Sequence, residues 1–236
     1  MSKNPVSSSS KEKREPRDKA GFVDQLREDI TSGLLLPRER LVEQDLAARY
    51  GVSRATVRSA LTHLTAEGMV ERIPNRGARV RSIPREEAVE ILEVRSELES
   101  LCAYRAAERV SEDDRHRLRQ IAQRMKDSVA AGDLLEYGNL NKDLHQAVLD
   151  ISGHRTATAI VERLKGQMVR HQYGLTMRAD GTDASLSEHL AIAEAICEQQ
   201  PEQAREAMRA HLGQVTETLR SVPDDVDASL AWRRRA

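Results

Sequence analysis

The sequence predicts a mainly α-helical chain of two units, a small N-terminal one with a short β-hairpin and a larger antiparallel helical bundle. Three observations carry that reading. Apolar residues recur at helical spacing over most of the 236 residues. One short stretch, Ala78, Arg79, Val80, Arg81, alternates as a strand does, directly after the turn residues Asn75 and Gly77. With one Phe, four Tyr and one Trp, the core must come from Leu, Val, Ile, Ala and Met, a composition that favours helices.

The elements follow in order. Residues 1–19 hold Ser7 to Ser10 and a run of alternating charges without apolar periodicity, and are expected to form a disordered tail. Phe22, Leu26 and Ile30, at i, i+4 and i+8, predict a first helix that Gly33 stops. Glu43 to Tyr50 is a short helix with Leu46 and Ala47 facing inward, and Gly51 can take the positive φ of a tight interhelical turn. Val52 plugs the corner. Ser53 caps the next helix, which buries Val57, Leu61 and Leu64 and turns Ala55, Arg58, Ser59 and Thr62 outward, with Arg54 in its first turn. Gly68, Met69 and Val70 lead into a hairpin with Asn75, Arg76 and Gly77 at its tip. Ile83, Pro84 and Arg85 then form a short hinge.

From Glu86 to about Arg220 the signal is helical, and breaks at Ser111, Asp133, Ser152 to His154, Arg178 to Asp183, and Pro201 divide it into five or six antiparallel helices. The expected units are 20–83 and 84–221, with 222–236 as a flexible tail. Charge divides the chain in the same place. Residues 1–81 carry 16 Lys+Arg against 11 Asp+Glu, net +5, and the remainder 21 against 27, net −6, so the total of −1 conceals a basic unit joined to an acidic one. The basic unit is the one expected to meet a polyanion.

Other classes are disfavoured by what the chain lacks. Cys102 and Cys197 form no CxxC pair, which argues against a disulfide framework or thiolate zinc site and fits a reducing, cytoplasmic setting. No apolar run approaches the roughly 18 residues that span a bilayer, and residues 1–10 show no signal-peptide core. A soluble protein, with no membrane partner, is expected.

A short helix, a tight turn, a polar-faced helix and a hairpin together describe a winged helix-turn-helix with a small β-hairpin wing. A helix that enters the major groove needs small polar residues for close approach and Arg side chains that reach guanine edges or phosphates. Arg54 and Arg58 are the expected base readers, and Arg76 can reach a neighbouring groove or backbone. The stretch Leu36, Pro37, Arg38, Glu39, Arg40, Leu41, then Leu46, Ala47, then Gly51 to Leu61, then Leu64, Glu67 to Val70, and Arg76, Gly77 closely resembles the GntR family of bacterial transcription regulators. Arg38 stands where that family usually has Gly, and Thr56 where it often has Pro. Carried over by position, the resemblance implies DNA contacts from Gln44, Ser53, Arg54, Thr56 and Arg58, and from the wing at Arg76 and Gly77.

The bundle holds a second constellation. Among the seven His, three lie on apolar helical faces: His145 with Leu140, Leu144 and Val148; His189 with Leu186, Leu190 and Ala193; His211 with Ala204, Met208 and Val215. Asn141, four residues before His145, projects from the adjacent turn of the same face. Three imidazoles directed into one bundle, with no acidic partner on their own helices, are costly unless they share a cation. His116, His154 and His171 carry no such signal. Arg95 with Leu98 and Glu99, Asn141 to His145, Glu188 to Ala195, and Ala207 to Leu212 resemble the effector domain of the FadR-type subfamily of GntR regulators, the FCD domain, with Leu144 where Phe is frequent. That resemblance implies Asn141, His145, His189 and His211 as ligands of one divalent metal ion. A neutral N3O set suits Zn²⁺ or Ni²⁺ and leaves positions open for water or a carboxylate. The natural effector is then a small organic acid, with Arg95 able to bind a second carboxylate oxygen in a bidentate way.

Two other readings compete. A three-His metal could be hydrolytic, but Glu188 lies about 100° around the helix from His189, no HExxH occurs, and no general base is placed. A non-specific architectural DNA-binding protein would need no effector site. The expectation is therefore a homodimeric regulator, a repressor rather than an activator, that places two recognition helices on a two-fold symmetric operator in double-stranded DNA.

Overall fold

The computed structural model describes residues 19–73, 77–168 and 182–221. The predicted tails, save for Lys19, lie outside the described residues, as do Arg76 and His171. The N-terminal unit runs α1 (Lys19–Thr31), β1 (Arg40–Leu41), α2 (Glu43–Tyr50), α3 (Arg54–Ala66), β2 (Val70–Ile73) and β3 (Gly77–Val80). The turn between α2 and α3 forms as its residues dictate. Gly51 takes φ 67° and returns its N–H to the carbonyl of Ala47, which closes α2 in the left-handed conformation that glycine tolerates. Ser53 Oγ accepts from the Thr56 N–H at 3.1 Å and satisfies a donor that the start of α3 leaves open.

The predicted apolar faces of this unit close on one another. Phe22, Leu26, Val57 and Leu64 are buried, with Leu46 and Met69 beside them, and Tyr50 meets Phe22 edge-on at 5.4 Å. Burial of each such side chain stabilises by about 1.5–3 kcal/mol. The sheet has the order β1-β3-β2, all antiparallel, with Arg40 opposite Arg79 and Val70 opposite Val80. β1 has no counterpart in the sequence reading, because two residues carry no periodicity.

The second unit is a bundle of α4 (Arg85–Arg109), α5 (Glu112–Ala130), α6 (Leu134–Ser152), α7 (Arg155–Gln167), α8 (Thr182–Cys197) and α9 (Pro201–Ser221). Its breaks have chemical causes. Ser111 and Asp114 form a reciprocal capping box that starts α5, and Asp133 accepts from the Glu136 N–H at 3.0 Å to start α6. Gly153, at φ 59°, ends α6, and Pro201 occupies the first position of α9, where its missing N–H costs nothing. The long α4 packs against α6, α7, α8 and α9, so it forms the spine of the bundle. Leu118, Met125, Leu140 and Leu144 fill the core, with Ala103 and Ala106 allowing helices to approach closely.

The short joint between the units is packed against the bundle. Ile83 is buried with Leu92, Met168 and Leu219, and Arg81 pairs with Glu87 in the first turn of α4. Pro84 sits at the N-cap of α4 with extended backbone and passes directly into the helix. An apolar residue at this point gains more by packing than a free linker would by flexing. Among the described residues, no helix is long and apolar enough to cross a membrane.

Candidate nucleic-acid interface and metal centre

α3 turns Arg54, Ala55, Arg58, Ser59 and Thr62 to the surface while Val57, Ala60, Leu61 and Leu64 anchor it to α1 and α2. The exposed face is not a set of independent side chains. Arg58 donates from Nε to Glu43 Oε1 at 2.9 Å and from Nη2 to Oε2 at 2.7 Å, a bidentate fork that reaches from α3 back to the start of α2. Arg54 Nη2 lies 3.9 Å from the same carboxylate. The hydrogen bonds from Arg58 hold the Glu43 carboxyl below its ordinary range.

The other expected contacts lie around this fork. Gln44 is exposed on α2, next to Glu43, and Thr56 Oγ1 is 2.9 Å from Ser53 Oγ. Gly77 begins β3 at φ 91°, and Arg72 on β2 donates to Thr62 Oγ1 at 2.7 Å. The hairpin is thereby tied to α3. Glu43 was not singled out in the sequence because a carboxylate in a first helical turn is explained by the helix dipole alone. Arg58, fifteen residues away, is what gives it a second role.

In the bundle, α6, α8 and α9 bring His145, His189 and His211 together. One ring nitrogen from each lies within 4.8 Å of the others, and the rings pack at centroid distances of 5.6, 5.3 and 4.3 Å. All three are buried. Each Nδ1 is engaged from outside the cluster: His145 with Glu99 Oε2 at 2.7 Å, His211 with Glu188 Oε2 at 2.8 Å, and His189 with Tyr137 Oη at 3.1 Å. A carboxylate can only accept, so Nδ1 of His145 and of His211 carries the proton and Nε2 keeps its lone pair. Acidic partners do exist, but they come from other helices or, for Glu188, from the residue beside a different histidine. Glu188 serves His211 and is not a base aimed at the cluster.

Two buried polar atoms here have no partner among the described residues, His189 Nε2 and Asn141 Oδ1. Asn141 stands one turn before His145 on α6, and a buried imidazole nitrogen without a partner beside two more imidazoles is an arrangement that a divalent cation can satisfy. The electrostatics of the cluster point the same way. Burial pushes His145 down to about 4, against the pull of Glu99. Burial pushes His189 well below the usual histidine range, and the other two histidines add to the shift. His145 and His189 therefore stay neutral at physiological pH, the form in which an imidazole can bind a metal.

Arg95 lies behind this cluster. Its Nε donates to Glu99 Oε1 at 2.8 Å with both side chains almost fully buried, and Nη1 is 3.9 Å from the sulfur of Met168. Lys165 Nζ is 3.7 Å from Glu99 Oε2. Burial alone would raise the Glu99 carboxyl, but Arg95, Lys165 and His145 hold it well below the usual range. The sequence offered Glu99 only as part of the family resemblance, and its role as a hub depends on three helices meeting. His63 and His116 are exposed and pair with Glu67 and Gln120, and His154 caps α7 through its Nδ1.

A winged helix-turn-helix with an arginine-bearing recognition helix, joined to a helical domain with a buried histidine cluster, defines a DNA-binding transcription regulator with a sensory domain. Comparison with known proteins agrees. Residues 20–80 match the bacterial regulatory proteins of the gntR family, and residues 90–214 match the FCD domain. The chain belongs to the GntR family of transcription regulators and carries an FCD domain; its relatives are regulators and not enzymes. It is similar to the transcriptional repressor RspR of Escherichia coli K12, with 27% identity over 197 residues, 84% of this chain and 86% of that protein. A regulator from an unstable DNA locus of Streptomyces ambofaciens is 32% identical over 205 residues, 86% of this chain and 82% of that one. The solved structure of E. coli McbR/YncC shares the fold with TM-score 0.74 at 20% identity, and the match covers 86% of this chain and 96% of that one.

Proposed function

We propose that this protein is a repressor that binds a two-fold symmetric operator as a homodimer and is tuned by a small organic acid at a metal ion in the FCD domain. The observation that carries the reading is the orphaned Nε2 of His189 in a cluster with two imidazoles whose Nδ1 protons are already committed, with the orphaned Oδ1 of Asn141 one turn before His145 on α6. Asn141, His145, His189 and His211 would hold the ion, with Zn²⁺ or Ni²⁺ best suited to the donors. When bound, the ion supplies a Lewis-acidic position for a carboxylate. Arg95 provides a second positive group for the acid, and its Nε pairing with Glu99 orients it.

On the DNA side, Arg54 and Arg58 read base edges, while Gln44, Ser53, Thr56 and the wing at Arg76 and Gly77 position the head on the backbone. The units 20–83 and 84–221 divide the work between reading and sensing. The name of the E. coli relative supports repression over activation. Selection of a binding site from random duplexes, followed by titration with and without metal and with a panel of mono- and dicarboxylates, tests the proposal. It fails if selected DNA is bound identically by metal-stripped and metal-loaded protein under every acid.

A further inference from the structure

The end of α7 touches the DNA-binding unit at one tightly built place. Gln167 Nε2 donates to the backbone carbonyl of Glu67 at 2.8 Å, and Glu67 is the residue that caps the C-terminus of the recognition helix α3. Gly68 follows at φ 78°, and a Cβ there would lie 2.7 Å from Gln167 Nε2. Across from it, a Cβ on Gly166 would sit 3.4 Å from the sulfur of Met69. Two glycines thus make room for the Gln167 and Met69 side chains between the end of α7 and the turn after α3. The same Glu67 holds Arg27 of α1 through both carboxylate oxygens, at 2.7 and 3.1 Å. A displacement of Gln167 is therefore felt by two helices of the DNA-binding unit.

Lys165, two residues before Gln167, reaches in the other direction. Its Nζ addresses Glu99 Oε2, the same oxygen that accepts from His145 Nδ1, while Arg95 occupies Oε1. Two donors share one oxygen. An imidazole whose Nε2 is ligated becomes a stronger Nδ1–H donor, since the cation withdraws charge from the ring. A stronger His145–Glu99 bond draws charge from the oxygen that Lys165 also addresses and so weakens that longer contact.

We infer that Glu99 and Lys165 form a relay that transmits the ligation state of His145 to the end of α7, and through the Gln167–Glu67 contact to the C-terminus of the recognition helix. The inference rests on the metal reading above and adds its mechanical consequence. The relay predicts a local effect: His145 ligation loosens Lys165, the end of α7 and the contact with Glu67. The amides of Glu67, Gly68 and Met69, which bond to carbonyls of His63, Thr65 and Leu64, report it directly.

Hydrogen exchange of these three amides, followed in the full chain with and without saturating Zn²⁺, tests the relay, with Zn²⁺ uptake measured separately by chelator competition. In wild type Zn²⁺ accelerates exchange about fivefold or more, the lower end of a typical coupling between sites. Lys165→Met takes up Zn²⁺ as wild type does but loses the acceleration, and Lys165→Arg restores it. Gln167→Ala, which leaves Glu99 untouched, also loses it. Wild type that takes up Zn²⁺ without a change in these amides, or Lys165→Met that responds as wild type does, overturns the relay and leaves the metal site standing. Wild type that takes up no Zn²⁺ overturns both.

Discussion

Arg58 on α3 and Glu43 at the start of α2 form a two-pronged ion pair, with Nε–Oε1 2.9 Å and Nη2–Oε2 2.7 Å, on the exposed face of the helix-turn-helix. The pair is solvent-facing, so its direct contribution to stability is small. Its effect is on geometry: a guanidinium held by its Nε and one Nη presents the remaining edge in a defined direction. Arg58→Ala should weaken specific DNA binding about 5- to 150-fold with little change in melting temperature. Glu43→Gln should leave non-specific binding and its salt dependence nearly intact while it relaxes discrimination between sites. Both are read by competition gel shifts against selected and scrambled duplexes. A Glu43→Gln protein with wild-type discrimination would show that the fork is incidental.

The histidine cluster predicts about one divalent ion per chain. His189→Ala and His211→Ala should each lose it, and wild type should gain about 2.7 kcal/mol when free metal is at 100 times its dissociation constant. Elemental analysis and thermal melts with and without chelator check both statements. A wild type that melts at one temperature irrespective of metal would contradict them.

Acid should destabilise the metal-stripped protein in a window set by the histidines. His145 is depressed to about 4 and His189 lies well below its usual range, so the unfolded chain binds more protons than the native one once pH falls below about 6.5. Stability is therefore fully present above that value and declines as pH falls towards 4, by up to about 1.4 kcal/mol per unit for each histidine. Glu99, whose depressed carboxyl stays ionised through this range, contributes its own loss only below the ordinary carboxylate range. Urea melts between pH 7 and 5 measure the slope. His189→Ala should flatten it.

Arg95 is bound to Glu99 inside the bundle, and its removal should act on folding as well as on any acid response. Arg95→Ala leaves Glu99 with Lys165 and His145 alone, and breaking a buried ion pair in this way costs about 3–5 kcal/mol. Arg95→Met combined with Glu99→Gln should recover much of that stability. Denaturant melts of the two variants and wild type decide the point, and an Arg95→Ala protein as stable as wild type would place the guanidinium outside the structural network.

Gly68 and Gly33 offer a matched comparison. Both have positive φ, 78° and 79°, but a Cβ on Gly33 meets nothing within 4 Å whereas one on Gly68 displaces Gln167. Gly33→Ala should cost about 1–2 kcal/mol for the left-handed backbone. Gly68→Ala should cost about 0.5–1.5 kcal/mol more, from the lost Gln167 hydrogen bond. Equal costs in thermal melts would mean that Gln167 yields freely.

The sequence alone determined what depends on neighbours along the chain. Gly51, Ser53, Ser111, Asp133 and Pro201 act on their own backbone within a few residues, and each ends or starts a helix where the pattern places it. Phe22, Leu26 and Ile30, or Val57, Leu61 and Leu64, occupy one face by helical geometry alone. The three inward histidines were legible for the same reason. Tertiary structure decided every pairing that gives those residues their chemistry: Glu43 with Arg58, Glu188 with His211, Glu99 with His145 and Gln167 with Glu67, separated by 15, 23, 46 and 100 residues. No local period encodes such a pair. It exists because the packing of apolar faces fixes where whole helices lie, and a polar group then bonds to whatever partner that packing carries within about 3 Å.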